Sequence, residues 1–144
     1  MSSVLVLFSK FPRAGHVKTR LGKQIGFEKA AALHASFVDG LVKEHSNQKY
    51  KLILGCPETD VEDFNLLYPS LELYGVRGNS LGKHMRFCFE DLLQKYSEVV
   101  IVGSDVPLLK VERIEEAFNL LNKKNVVLGP DFGGGYYLVG MKKF

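Results

Sequence analysis

The sequence predicts a three-layer α/β/α domain of Rossmann-like type with a mostly parallel sheet, and three observations carry that expectation. Short apolar, β-branched runs alternate along the chain with stretches of helical period, which is the pattern of βαβ units with helices on both faces of the sheet. Val99, Val100, Ile101 and Val102 form an unbroken β-branched run, the mark of a central strand covered on both sides. Finally, 144 residues of which 46% are hydrophobic suffice for one domain with a real core, and no repeat or linker divides residues 1–144.

The elements follow in order. Val4 to Leu7 reads as a buried strand that opens, at Phe8, into a loop running to Leu21. From Gly26 to Lys43, Ala30, Leu33, Phe37, Val38, Leu41 and Val42 recur at helical spacing, and Gly40 weakens that helix without ending it. Lys49 to Gly55 is a second strand, stopped by Cys56 and Pro57. Thr59 and Glu62 have capping-box spacing, so a short helix is expected from Val61 to Tyr68 before Pro69. Leu71 to Val76 alternates as a third strand, at an edge. Ser80 to Tyr96 places Leu81, Met85, Cys88, Phe89, Leu92 and Leu93 along one side of a helix, where Met85 and the phenylalanines read as core. After the Val99–Val102 strand, Val111 to Asn122 is a helix, Val126 to Leu128 a short strand and Tyr136 to Met141 the last strand.

Charge is placed on this frame unevenly. Lys10, Arg13, Lys18, Arg20 and Lys23 fall within the first twenty-three residues, and the first acid is Glu28. Without those five, fourteen of the nineteen Lys and Arg remain against sixteen acids, so the net charge of +3 comes from one end of the chain. The cations are interleaved with Pro12, Gly15 and Thr19 directly after a strand, where α/β proteins bind ligands beyond the carboxyl ends of their strands. A phosphate is the expected guest, held by Lys10, Arg13, Gly15, Lys18, Thr19, Arg20 and Lys23; a solvated basic surface is the plainer reading of the same run.

Asp105 stands where the Val99–Val102 strand leaves the sheet, in Gly103-Ser104-Asp105-Val106-Pro107. It has two readings. A carboxylate beside a cationic loop suits Mg²⁺ or Mn²⁺, since Mg²⁺ is commonly held by one or two carboxylates plus substrate phosphates. Alternatively the aspartate caps a turn before Pro107. In the first reading cations grip the phosphates, the carboxylate holds the metal, and catalysis rests on Asp105 and Lys18.

Several classes are disfavoured. There is no GxxxxGK[ST], and Gly133, Gly134 and Gly135 lead into an apolar strand, not a helix, so neither a P-loop nor a standard dinucleotide fingerprint is present. No Gly-x-Ser-x-Gly elbow or Cys/His signature supports covalent hydrolysis. Cys56 and Cys88 lie far apart with no ligand spacing and read as core thiols. Of the four histidines, His34 beside the apolar face of its helix reads as structural, and only His16 is a candidate for substrate contact. No run approaches the roughly 18 apolar residues of a membrane span, and Met1 to Leu7 is too short for a signal peptide, so the cytoplasm is the expected compartment. The modest net charge argues against nucleic acid as a partner.

KFPRAGHVKTRL (10 to 21), RGNSLGKHM (77 to 85), VVIVGSDVPLL (99 to 109) and VVLGPDFGGGYYLVGM (126 to 141), in that order, resemble the selenodomain-associated transferase family, a glycosyltransferase-like family of the GT-A nucleotide-diphospho-sugar transferase superfamily. The resemblance implies that fold, kinship with molybdenum-cofactor and phospholactate nucleotidyltransferases, and a nucleotide above the sheet with Mg²⁺ at an aspartate. The family's loop falls on Lys10, Pro12, Gly15, Val17, Lys18, Thr19, Arg20 and Leu21, and its strand end on Gly103, Asp105 and Pro107. It also implies an acceptor-side loop at Gly133, Gly134, Gly135 and Tyr136. Two departures accompany it. Gly133 stands where the family carries an acid, with Asp131 the nearest substitute as a second metal ligand, and the fold is expected to be C-terminally short relative to the family.

The expected function is that of a Mg²⁺-dependent nucleotidyl- or glycosyltransferase-like protein, taking a nucleoside triphosphate or a nucleotide sugar and a small-molecule acceptor. The alternative is a catalytically impaired nucleotide-binding or partner-binding module, motivated by Gly133. Base, acceptor and oligomeric state are not written in the sequence.

Overall fold

A computed structural model describes residues 2–143. Its elements are β1 (Ser3–Phe8), α1 (Thr19–Ile25), α2 (Phe27–His45), β2 (Lys51–Pro57), a 3-10 turn (Glu58–Asp60), α3 (Val61–Leu67), β3 (Glu72–Val76), α4 (Leu81–Leu92), β4 (Glu98–Gly103), α5 (Val111–Leu121), β5 (Val126–Pro130) and β6 (Tyr136–Lys142). The strands form one sheet in the order β3-β2-β1-β4-β6-β5. The β3, β2, β1 and β4 strands are parallel, and β6 runs against both β4 and β5. This is the mixed α/β, Rossmann-like sheet that the strand and helix alternation predicts, with β3 at an edge.

The pleat explains the two layers of core. Along β1, Leu5 and Leu7 point into a cluster built with Val38 and Leu41 of α2, Phe64 of α3 and Ile114 and Leu121 of α5. Val4 and Val6 point the other way, to Ile53, Val99, Ile101 and the Cys88–Phe89 segment of α4. All four β1 residues are at most 1% exposed, as a strand covered on both faces requires. Phe64 is wholly buried and meets Phe11 edge to face, with centroids 5.1 Å apart. Truncating it to Ala would cost about 3–5 kcal/mol. Both cysteines are buried and free, as expected of core thiols.

Three local expectations are corrected. The stretch read as loop to Leu21 turns helical at Thr19, so Arg20 and Lys23 lie on α1. Lys18 precedes it at φ 47, a left-handed conformation that non-glycine residues seldom adopt and that marks this turn as strained. The capping box does not form: Thr59 lies within the 3-10 turn, and α3 begins after Asp60, which makes no side-chain cap because its carboxylate accepts from the Phe11 N–H and the Arg13 guanidinium. Finally, β2 is not stopped by Cys56 and Pro57, since Cys56 pairs with Gly75 and Pro57 with Val76 at the sheet edge.

Phe8 is in register with Gly55 on one side and Gly103 on the other, so β1, β2 and β4 end together. A Cβ on Gly55 would lie 2.8 Å from the Phe8 ring, which leaves glycine the only residue that lets the ring pack there. From β1 the chain turns outward through β2 to β3, while β4 lies on β1's other side. The switch point is therefore β1/β4, and a crevice opens above it.

Candidate active site

A cavity of about 910 Å³ fills that crevice, and every parallel strand contributes its carboxyl end to the wall. Phe8, Ser9 and Lys10 come from β1, Gly55 to Thr59 from β2, Val76 to Gly78 from β3 and Gly103 to Asp105 from β4. The basic loop closes one side with His16, Val17, Lys18 and Thr19.

The expected site residues separate here. Lys10, Lys18, Thr19 and Asp105 line the cavity together. Lys18 Nζ lies 2.5 Å from Asp105 Oδ1 and 4.4 Å from the centroid of the Phe37 ring. The lysine stem is packed away, with 13% of the side chain exposed, whereas the aspartate is 79% exposed. Asp105 is thus available to a ligand, with a cation already at its shoulder. Arg13 does something else: it donates to Asp60 at 2.5 Å and pairs with Asp63, stacks its guanidinium over Phe11, and lies outside the cavity wall. It ties the basic loop to α3. Gly15 borders a separate shallow hollow with Gly26 and Phe27, and Arg20 and Lys23 are exposed on α1 outside the wall.

His34 contributes more than its structural reading. It is 5% exposed at the cavity floor, with Nε2 3.0 Å from Ser9 Oγ and 3.1 Å from the Lys10 carbonyl. Burial, helped by the Lys18 charge, pushes its pKa below the ordinary histidine value. Neutral His34 then donates from Nε2 and fixes the start of the basic loop, while its buried Nδ1 has no partner among the described residues. His45 is likewise held neutral by burial, between the Tyr50 hydroxyl at 2.6 Å and the Leu109 carbonyl at 3.0 Å. Burial raises the Cys56 thiol to about 11 and Cys88 to about 12, so neither is a nucleophile near neutrality.

Arg77, Gly78, Leu81 and His84 also line the cavity. Leu81, expected on the apolar face of its helix, is 64% exposed there. The signal for this wall was present in the sequence: a glycine just past a strand, then Ser80, which caps α4 by accepting from the Lys83 N–H at 3.3 Å. His84 Nε2 bonds the Gly78 carbonyl at 2.9 Å and holds the turn against α4.

The register also brings the β5–β6 turn to this end of the sheet, since Val102 pairs with Leu138 and Pro130 with Tyr136. Asp131 Oδ1 accepts from the N–H groups of Gly133 (2.8 Å) and Gly135 (2.9 Å), and the turn is exposed. Asp131 and the Gly133 to Tyr136 segment are not part of the cavity wall. Among the described residues, no group of three or more His, Cys, Asp or Glu side chains could hold a metal. Asp105 and Glu58 are the carboxylates on the cavity wall, and a cation arriving with its phosphates, as Mg²⁺ usually does, would meet them there. No helix among the described residues is long and apolar enough to cross a membrane.

Comparison with known proteins supports the fold. The family model described as an uncharacterized protein conserved in bacteria (DUF2064) matches residues 41–144. The chain is 33% identical to the 2-phospho-L-lactate guanylyltransferase of Methanocaldococcus vulcanius over 66 residues, 46% of this chain and 29% of that relative. Its counterpart from Methanocaldococcus jannaschii is 24% identical over 126 residues, 88% of this chain and 54% of its own. The crystal structure of a proposed nucleotide-diphospho-sugar transferase from Desulfovibrio desulfuricans G20 superposes with a TM-score of 0.93 at 33% identity, over 99% of this chain and 64% of that one. A 4-diphosphocytidyl-2C-methyl-D-erythritol synthase from Anaerococcus prevotii shares the fold at 10% identity, with a TM-score of 0.57 over 98% of this chain and 71% of that one. The chain thus spans less than two thirds of the Methanocaldococcus and Desulfovibrio relatives' own length.

Proposed function

This chain belongs to the DUF2064 family, and from that premise we propose that it works as a nucleotidyltransferase, binding a nucleoside triphosphate in the crevice above β1 and β4. The observation that carries the reading is the meeting of Lys18 and Asp105 at the switch point, inside a cavity large enough for a nucleotide. The names of the guanylyltransferase relatives point the same way.

In this reading Lys10 and Lys18 neutralise the triphosphate, and Thr19 at the start of α1 faces it. Asp105 is the residue that would hold a divalent cation, which when bound draws charge from the phosphates. Transfer forms a bond from an acceptor oxygen to the α-phosphorus as the bond to the bridging oxygen breaks. The electron pair leaves with pyrophosphate, whose new charge falls to the same lysines. Positioning and charge neutralisation do most of the work, so an oriented lysine and one exposed carboxylate suffice as protein parts.

Glycosyl transfer from a nucleotide sugar is the second reading, favoured by the Desulfovibrio structure. The two part on products. Pyrophosphate release from a panel of triphosphates, with phosphorylated small acids as acceptors, is expected; nucleoside diphosphate release from nucleotide sugars alone would favour glycosyl transfer. No thermal shift with any nucleotide, with or without Mg²⁺, would remove both.

A further inference from the structure

A second cavity, of about 680 Å³, meets the first at a single residue, Asp105. It lies between the 106–110 loop, the first turns of α5 and Tyr137 of β6. A transfer reaction needs two substrates converging on one point. The first cavity lies above the ends of β1 to β4, and this one adjoins it at the same carboxylate.

The groove is built in advance. Buried His45 of α2 donates to the Leu109 carbonyl, the Leu109 N–H returns to the Val106 carbonyl at 3.1 Å, and Glu44 accepts from the Val111 N–H at 3.2 Å. These bonds fix the loop that forms the wall. Val106, Pro107 and Leu109 supply apolar surface, and Lys110 and Arg113 supply cations. Arg113 is oriented: Nη1 donates to the Tyr137 hydroxyl at 3.1 Å, and Nε lies 3.6 Å from Glu116. Its Nη2 has no partner among the described residues. Glu112 and Glu116 also border the groove, so cations and acids balance there once Lys18 has answered Asp105. What selects an acid over a neutral guest is therefore the held guanidinium, whose planar fork matches a carboxylate or phosphate.

We propose that this groove is the acceptor subsite of the transferase and takes a small acceptor bearing a carboxylate or phosphate, with Arg113 binding that anionic group. The inference rests on the nucleotidyltransferase reading for its role, while the binding itself stands apart from it.

The test uses 2-phospho-L-lactate as the anionic probe and glycerol as the neutral one, with chemical-shift mapping and calorimetry on the parent chain, Arg113→Ala, Arg113→Lys and Tyr137→Phe. Arg113 is 59% exposed on a helix, and alanine favours helix, so the fold is retained. Saturable binding of the acid is expected, with shifts at Val106, Leu109, Arg113 and Tyr137. The alanine variant is expected to lose affinity tenfold or more, lysine to restore part of it and Tyr137→Phe to lose a few-fold. No saturable binding, shifts confined to residues 8–19, equal binding of glycerol, or an unaffected Arg113→Ala would each overturn the assignment. GTP with Mg²⁺, titrated into the same samples, reports on the first cavity. Its failure counts against the nucleotidyltransferase reading alone and leaves the acid-binding result standing.

Discussion

Lys18 and Asp105, eighty-seven residues apart, close an ion pair of 2.5 Å across the mouth of the β1/β4 crevice. Each group answers the other, yet each is also what a metal-bound nucleotide would claim. With the carboxylate largely in water the pair itself contributes little, well under about 1 kcal/mol, so a ligand can redistribute it at small cost.

Asp105→Asn is therefore expected to keep the fold and to abolish the Mg²⁺-dependent part of nucleotide binding, because the amide is a poorer ligand for a hard cation. Without metal the same variant should bind nucleotide as well as the parent or better, since Lys18 is released from its partner. Calorimetry with and without Mg²⁺ on both proteins checks this. If Asn changes nothing in either condition, Asp105 merely shapes the turn before Pro107.

The cations of the basic loop are expected to divide by role. Replacing both Lys18 and Arg20 by Ala should weaken nucleotide binding by about 3 kcal/mol at most, and nearly all of that should come from Lys18, because Arg20 lies outside the cavity wall. Added salt should weaken the parent too. Arg13→Ala should act on stability instead, lowering the melting temperature, since it leaves the Asp60 carboxylate, 9% exposed, without its guanidinium. Thermal melts and nucleotide titrations of the two variants separate these effects. Equal loss of nucleotide affinity in both would put Arg13 back at the phosphates.

How far the sequence told this in advance follows from which forces are local. The β-branched run at Val99 to Val102 and the helical period around Leu41 are set by burial, and both elements stand where the pattern puts them. The Thr59–Glu62 spacing misleads because a 3-10 turn takes in Thr59 and moves the cap position to Asp60, whose carboxylate is held by Arg13. Charge alone made Arg13 and Lys18 look alike. Only the packing of α3 against the loop gives one an acidic pair and the other the cavity. The crevice wall from α4 and the groove beside α5 join residues distant in sequence, and periodicity does not report such meetings.

Stability should decline as pH falls from about 7 to 5. His34 and His45 are both held below the ordinary value of 6.5, chiefly by burial. Between that value and their native ones the unfolded chain binds protons that the native protein refuses, so stability rises with pH through this window and is lost on acidification. Each group contributes no more than about 1.4 kcal/mol per pH unit. Asp39, lowered by its bond to Lys43, and Asp91, lowered by Tyr74, act only further down, below 3.8. Denaturant midpoints across pH 5 to 8 test this, and His34→Gln, which can still donate to the Lys10 carbonyl, should flatten the slope. An unchanged slope in that variant would remove His34 from the account.

Gly133 tests whether the β5–β6 turn takes part in metal-dependent nucleotide binding. Its φ is not in the left-handed range, unlike Gly134 at +86, so aspartate fits the backbone there. A Cβ at 133 would lie 3.5 Å from Asp131 Oδ1, an ordinary contact that sets two carboxylates side by side on the β5–β6 turn. Two adjacent carboxylates repel one another until a cation joins them. Gly133→Asp is therefore expected to strengthen Mg²⁺-dependent nucleotide binding by about tenfold, roughly 1.4 kcal/mol, and to weaken binding slightly in the absence of metal. Asp131→Ala should do less, because Oδ1 of Asp131 is already committed to the N–H groups of Gly133 and Gly135 and its loss mainly loosens the turn. Titrating one nucleotide into the parent and both variants, at matched Mg²⁺, makes the comparison. Loss of binding in Asp131→Ala with no gain in Gly133→Asp would show that Asp131 has taken over the missing acid.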